Sequence, residues 1–313
     1  MKNPKSIIGG LIFVTVAFAV VLASPRVLNA PLAYAGPQPT AITACGIYDA
    51  GNYVLANNID GVPQNQVCIT FSGKKTSHSA TTFNMNGNHI YCSPPGTGIN
   101  GVSLQGYAAI EAVGSGPGPK DGITITNGIV AWCQVGIRLM GTGWDTLSGM
   151  ELVDNGSALY VDSPNNTVTN NWVHSNGSGI DLYNFTATFQ NNKVQYNCGG
   201  VYIDSGGYAT YDKKGNVTGY VYQQIINNDA SNNGPYAQNV WAFICGSGNA
   251  YGFWVPVEDP TQPLVTAYNS IQGNTATGND GVDAEDDHGN CSANNWGTIT
   301  ANNFGVKNPA CIN

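Results

Sequence analysis

The chain has 313 residues, of which 42% are hydrophobic and only 10% charged, and its formal net charge is −8. Arg138 is the single arginine beyond Arg26, so nucleic acid, anionic membrane surfaces and tightly held polyanions are unsuitable partners. Forty glycines and the absence of any amphipathic helical stretch after the N-terminus point to strands and turns.

Lys2 and Lys5 precede an apolar run over residues 7–24, and Ala33, Tyr34 and Ala35 supply the small residues a signal peptidase needs. Residues 1–35 therefore read as a signal peptide. The run is long enough to act as a membrane anchor if it is retained, the one way this sequence would engage a membrane. Cleavage leaves 8 basic and 19 acidic residues, a balance of −11. All eight cysteines (45, 68, 92, 133, 198, 245, 291 and 311) follow the cleavage point, which fits disulfides in an oxidising compartment. Cys45–Cys68 and Cys291–Cys311, one near each end, are the expected bridges, and the rest of the connectivity stays open. No Cys-x-x-Cys pair supports a thiolate zinc site.

Residues 36–313 read as one domain. A Pro-rich lead-in over 36–44 is followed by Cys45-Gly-Ile-Tyr-Asp-Ala-Gly-Asn-Tyr-Val-Leu55, then Cys68-Ile-Thr-Phe71, then Asn84-Met-Asn-Gly-Asn-His-Ile90. This opening resembles that of secreted right-handed β-helix proteins of the NosD-like, pectate-lyase-like group. The resemblance implies that architecture for the exported chain. The group holds polysaccharide lyases, hydrolases, epimerases, periplasmic accessory proteins and surface proteins, so the resemblance does not select one activity.

Residues 96–120 read as a loop, and strands resume over 121–135. The stretch from Gly136 to Asp204 then repeats itself. Gly136-Ile-Arg-Leu-Met140, Ala158-Leu-Tyr-Val-Asp162, Gly179-Ile-Asp-Leu-Tyr183 and Gly200-Val-Tyr-Ile-Asp204 start 22, 21 and 21 residues apart. Each block is a small residue followed by apolar, polar, apolar and polar residues, the pattern of a strand with one buried face. Leu147, Val168 and Phe189 keep the same spacing, as do Leu152, Val173 and Val194. One such strand per repeat, stacked rung on rung, predicts an all-β fold, a single-stranded right-handed parallel β-helix. Asn155, Asn176 and Asn197 recur at one offset and predict an amide ladder between rungs about 4.8 Å apart.

After Asp204 the period breaks. Residues 205–223, Gly- and Tyr-rich with Lys213 and Lys214 at the centre, read as an inserted hairpin or loop. A second insertion is expected near 246–264, holding Tyr251, Phe253, Trp254, Glu258 and Asp259. Periodic Asn returns at Asn274 and Asn279. Asn-x-Ser/Thr sequons lie at Asn155, Asn165, Asn176, Asn184, Asn216 and Asn290.

With the apolar residues turned inward, the outward side chains form two columns. One is Arg138, Tyr160, Asp181 and Tyr202; the other is Met140, Asp162, Tyr183 and Asp204. Such a checkerboard supplies rings to stack on sugars and carboxylates to bind their hydroxyls. Arg138, Tyr160, Tyr183, Tyr202, Tyr251 and Trp254 are thus candidate carbohydrate-binding residues. Asp162 and Asp181, roughly 8 Å apart by strand spacing and rise, have the separation of an inverting glycosidase pair, with Asp204 a third candidate carboxylate. A solvated face braced by aromatic ladders is the alternative.

Asp280, Asp283, Glu285, Asp286 and Asp287 with His288 crowd hard oxygen donors into one segment. Asp283, Glu285, Asp286 and Asp287 would suit Ca²⁺, although EF-hand spacing is absent, and an acidic cap on the solenoid is the other reading. The Asp286-Asp287 and His288-Gly289 pairs resemble pieces of the polygalacturonase group, whose remaining motifs this chain lacks, so that activity is not transferred. Arg138, the one arginine available as a lyase base, has no acidic metal cluster in its sequence neighbourhood. His78, His89, His174 and His288 are scattered and give no copper site.

Three functions follow as expectations. The first is a secreted or surface β-helix protein, non-catalytic, that contacts a polysaccharide or cell-surface glycan. The second is a polysaccharide hydrolase or lyase using the aspartates. The third is a self-assembling envelope component whose open solenoid ends stack.

Overall fold

The computed structural model describes residues 38–63, 65–72, 80–92, 107–113, 122–140, 143–183, 187–235, 245, 250–257, 266–289 and 291–313. The expected signal peptide, residues 96–106 and 114–120, Asn184, Glu258, Asp259 and Asn290 lie outside the described residues, whereas the middle of the loop expected over 96–120 is corrected to a rung strand, Ala108–Val113, paired with Val67–Ser72 and Val135–Met140.

Each central rung has three strands in the same order. Ser157–Asp162 belongs to one sheet, and Thr167–Thr169 and Trp172–His174 belong to another. The next rung repeats this with Ser178–Leu182, Thr188–Gln190 and Lys193–Gln195. Every strand pairs in parallel with its counterpart one rung away, which builds a 10-stranded and a 14-stranded sheet. This is a parallel β-helix.

The apolar pattern sets the register. Ile69, Ile110, Ile137, Leu159, Ile180, Val201, Phe253 and Ala284 pair one above the next and are fully buried. Leu147, Val168 and Phe189 stack in the other sheet, beside Leu152, Val173 and Val194. Burial of each large side chain contributes about 1.5–3 kcal/mol, and a one-residue slip would turn a whole strand's set toward water. The small residue that opens each repeat is imposed by the next rung: a Cβ on Gly179 would lie 2.3 Å from the Gly200 carbonyl oxygen.

The corners use a two-residue device. A residue of positive φ is followed by an inward Asn. Asn170, Asn191, Asn227 and Gly273, with φ between 54° and 64°, precede Asn171, Asn192, Asn228 and Asn274. Asp154, Ser175, Tyr196, Asn232 and Gly278 play the same part before Asn155, Asn176, Asn197, Asn233 and Asn279. Asn tolerates the left-handed region better than most residues, which accounts for its abundance here. Along the expected ladder, each Asn backbone N–H donates to the Oδ1 of the Asn one rung on, at 2.8–3.0 Å from Asn155 to Asn279. Asp283 ends the ladder, its Oδ1 accepting the Asn279 N–H and Nδ2. A second ladder runs from Asn171 through Asn192, Asn228 and Asn274 to Asn302. Asn155 and Asn176 are fully buried in the first ladder, so the folded protein offers neither sequon for glycosylation.

A third corner begins with Asp145 in the seat that Asn166 fills one rung on. Its Oδ1 accepts the Ile123 N–H at 2.9 Å, and Asp145 N–H donates to Asn166 Oδ1. Its Oδ2 has no hydrogen-bond partner among the described residues. Burial pushes this carboxyl up to about 7, against the pull of the Ile123 N–H.

Between Val201–Ile203 and Gln223–Ile226 the chain leaves the coil as an antiparallel hairpin, Tyr208–Tyr211 with Val217–Val221. The expected loop near 246–264 needs correction. Tyr251–Val255 is a rung strand, paired with Val201–Ile203 on one side and Val282–Asp286 on the other. Phe253 is buried under Val201, so the aromatic segment is part of the coil. All eight cysteines are bridged: Cys45–Cys68 and Cys291–Cys311 as expected, with Cys92–Cys133 and Cys198–Cys245.

Asn176→Ala leaves the Asn155 N–H without its acceptor in a closed corner and takes a donor from the Leu152 carbonyl. It is expected to cost about 3 kcal/mol in urea unfolding. Asp145 gives a pH signature. Below about pH 4 both states hold its proton, and from there to about 7 only the folded chain does, so stability falls as pH rises. Thermal melts of Asp145→Asn should match the parent at about pH 4 and exceed it at about pH 8.

Candidate functional site

The outward face of the 10-stranded sheet is a register of single residues, one per rung. Glu111, Arg138, Tyr160, Asp181, Tyr202, Trp254 and Glu285 pair in that order. The column expected from the repeat is therefore present, and Trp254 extends it by a rung. The alternation that buries Ile137, Leu159, Ile180 and Val201 is what turns these side chains outward.

At the upper end Arg138 is engaged. Its Nη1 lies 2.6 Å from Glu111 Oε1, and its guanidinium sits 4.8 Å from the Tyr107 ring centre and 5.7 Å from that of Tyr160. Below it the rings run together. Tyr160 and Tyr183 are 4.9 Å apart, Tyr183 and Tyr202 5.8 Å, and Tyr202 and Trp254 5.2 Å. Tyr251 joins at 5.3 Å from Trp254. All six expected binding residues thus lie along one face, five of them as a continuous aromatic cluster.

The three candidate carboxylates differ. Asp181 lies within the column, its two oxygens accepting from Ser157 Oγ at 3.2 Å and Ser178 Oγ at 3.1 Å. Burial pushes its pKa up, and the two hydroxyls pull it back. The same burial, then the Asp181 charge and Tyr183, raises the Tyr251 phenol. Asp162 pairs with Met140 in the second column, and both Asp162 and Asp181 act electrostatically on Tyr160. Asp204 is half-buried just after Val201–Ile203.

The acidic segment is not gathered. Asp283 and Asp286 are buried, whereas Asp287 meets the outer face, where its Oδ2 accepts the Trp254 indole N–H at 3.1 Å. Asp283 Oδ2 accepts the Val306 N–H at 2.6 Å. Asp286 accepts from His288 Nδ1 at 2.7 Å, Trp296 Nε1 at 2.8 Å and Asn294 Nδ2 at 3.1 Å. Despite burial, these donors hold its carboxyl below the usual range. Glu285 accepts from Asn308 Nδ2. Among the described residues, no three His, Cys, Asp or Glu side chains cluster as metal ligands. A Ca²⁺ ion held jointly by Asp283, Glu285, Asp286 and Asp287 does not fit these separate partners.

Sequence reasoning passed over the outward face beyond the Asn ladder corner, where Glu151, Trp172, His174 and Lys193 meet. Its signal was present, since Glu151 and Trp172 stand 21 residues apart.

The family model of the right handed beta helix region matches residues 44–217. No curated protein and no solved structure matches the chain. Among the described residues, no helix is long and apolar enough to cross a membrane.

With Asp283 and Asp286 committed to internal donors, thermal melts in excess Ca²⁺ and in EGTA should agree within about 1 °C. A clear upward shift with Ca²⁺ would restore a cation to this end of the coil.

Proposed function

The chain belongs to the right-handed β-helix family, and from that premise we propose that it is an exported, non-catalytic protein that holds carbohydrate on its tyrosine–aspartate sheet face. The observation that carries this reading is the continuous cluster of Tyr160, Tyr183, Tyr202, Tyr251 and Trp254 beside Asp181. Sugar rings offer apolar C–H faces to aromatic planes and a belt of hydroxyls to carboxylates and phenols. Stacked rungs repeat this pairing along the coil, which suits a chain of sugars better than a single one. Asp181 is clamped by two serine hydroxyls, so it can accept a sugar hydroxyl without first being ordered.

Export is supported by the signal-like N-terminus and by four disulfides, which persist in oxidising compartments. The balance of −11 after cleavage favours an uncharged or weakly charged glycan and disfavours nucleic acid.

A second reading is favoured by one observation, the raised pKa of Asp181. A carboxyl whose pKa burial raises is shifted in the direction a glycosidase acid requires, with Asp162 or Asp204 to activate water.

A glycan array followed by release of reducing ends separates the two. We expect binding without turnover, with Tyr202→Ala and Trp254→Ala each weakening it by about tenfold. Product release abolished by Asp181→Asn would replace binding with hydrolysis, and no binding to any neutral polysaccharide would remove both.

A further inference from the structure

The face beyond the Asn ladder corner belongs to the 14-stranded sheet, and the site described above makes no use of it. Ile129, Glu151, Trp172 and Lys193 pair in one column across four rungs. Val153, His174 and Gln195 form the column beside it. His174 organises the centre. Its Nε2 lies 3.1 Å from Glu151 Oε1, and its ring stacks against Trp172 with centres 3.9 Å apart and planes 27° apart. The imidazole thereby fixes both the carboxylate and the indole, while Lys193 Nζ approaches the Trp172 ring at 5.9 Å. Trp172 is nevertheless 43% exposed.

Beside this group runs an open groove of about 450 Å³, lined by Gly128, Ile129, Gly149, Glu151, Asn170 and Trp172 among others. Its existence follows from the corner. In later rungs the corner carries Asn pairs, such as Asn170 with Asn171 and Asn191 with Asn192. In the two rungs before them it reads Asn127-Gly128 and Gly149-Met150, and Gly149, at the outward position of its corner, brings no side chain to where the groove opens. These glycines are fixed by the fold. A Cβ on Gly128 would lie 2.4 Å from Met85 Cβ, and Gly149 has a φ of 64°. The trough is therefore a permanent feature of the coil.

We propose that this groove is a second carbohydrate site, which takes a short uncharged oligosaccharide. One sugar ring lies on the exposed side of Trp172, and hydroxyls meet the Glu151 carboxylate and the Asn170 amide. The lining decides the class of ligand. An indole held flat by a ring behind it, a carboxylate held by the same ring, and corner amides within one groove match a ligand with an apolar face and a hydroxyl edge. The acidic balance of the exported chain, −11, turns polyanions away. This site is separate from the Tyr202–Trp254 face and does not depend on it.

The test uses the full exported chain carrying Tyr202→Ala and Trp254→Ala, which disables the first face. Cello-, xylo-, manno- and chito-hexaose are titrated against it, with indole fluorescence and calorimetry as readouts. We expect at least one to bind and to change the fluorescence. Adding Trp172→Ala should weaken that binding about tenfold, Glu151→Gln by several-fold, and Trp172→Phe should restore most of it. Because Trp172 and Glu151 lie on the surface, melting curves matching the parent's would confirm that these variants fold. No hexaose binding to the doubly substituted chain would overturn the proposal, whatever the parent does. Binding indifferent to Trp172→Ala would overturn it too. So would concentration-dependent dimerisation lost in Trp172→Ala without sugar binding, which would make the groove a contact between copies.

Discussion

A coil of parallel strands has to turn at every rung, and each turn takes backbone amides out of the strand ladder in a place closed to water. The cost of leaving such groups unpaired is of the same order as any other single term in the fold. Here the buried asparagines carry that burden. Each accepts the N–H of its counterpart with Oδ1 and gives its own Nδ2 to a carbonyl of the coil, as Asn176 does to Leu152 at 2.9 Å. The amide is suited because it accepts and donates at once. The two carboxyl seats illustrate the point from opposite sides. Asp283, at the end of a ladder, receives three N–H donors and needs to give nothing. Asp145, whose burial outweighs the donors it receives, is driven toward its protonated form.

Once the corners hold, the outward surface follows from the rungs. A side chain's neighbours above and below are fixed by the repeat length, so Tyr160, Asp181, Tyr202 and Trp254 become adjacent though 94 residues separate the first from the last. The same rule assembles Ile129, Glu151, Trp172 and Lys193 on the other face. Two surfaces with aromatic and acidic character arise from one register, yet their supports differ. Asp181 is set by serine hydroxyls, and Glu151 by an imidazole that also backs the tryptophan.

Much of this was legible in the chain. The stack of Ile137, Leu159, Ile180 and Val201 and the Asn155–Asn176–Asn197 ladder could be read because spacing alone determines them, and the terminal disulfides from the place of their cysteines near the two ends. Trp254 was misplaced for a physical reason. Val201 and Phe253 are neighbours in space but 52 residues apart, so the local period offered no guide. The second ladder was hidden because Asn171 and Asn192 sit among so many other asparagines that their offset does not stand out. The Asp283 and Asp286 side chains defeated composition altogether. Carboxylates in a row suggest a cation, whereas Asp283 and Asp286, three residues apart and therefore not on one face of a regular strand, are both buried against N–H donors.

The three corners also differ in what they permit. Between Thr169 and Thr275 the corner at Asn170-Asn171, Asn191-Asn192, Asn227-Asn228 and Gly273-Asn274 keeps two residues in each of four rungs. An extra residue there would unseat an amide in two rungs together. The connection that leaves the 10-stranded sheet carries no such restriction on length: Leu182 to Thr188 takes 5 residues, whereas Ile203 to Gln223 takes 19. The tyrosine face is thus bordered on one side by a segment that can lengthen and change composition at little cost to the scaffold. Selectivity for a ligand can be rewritten in that rim while the coil beneath stays as it is.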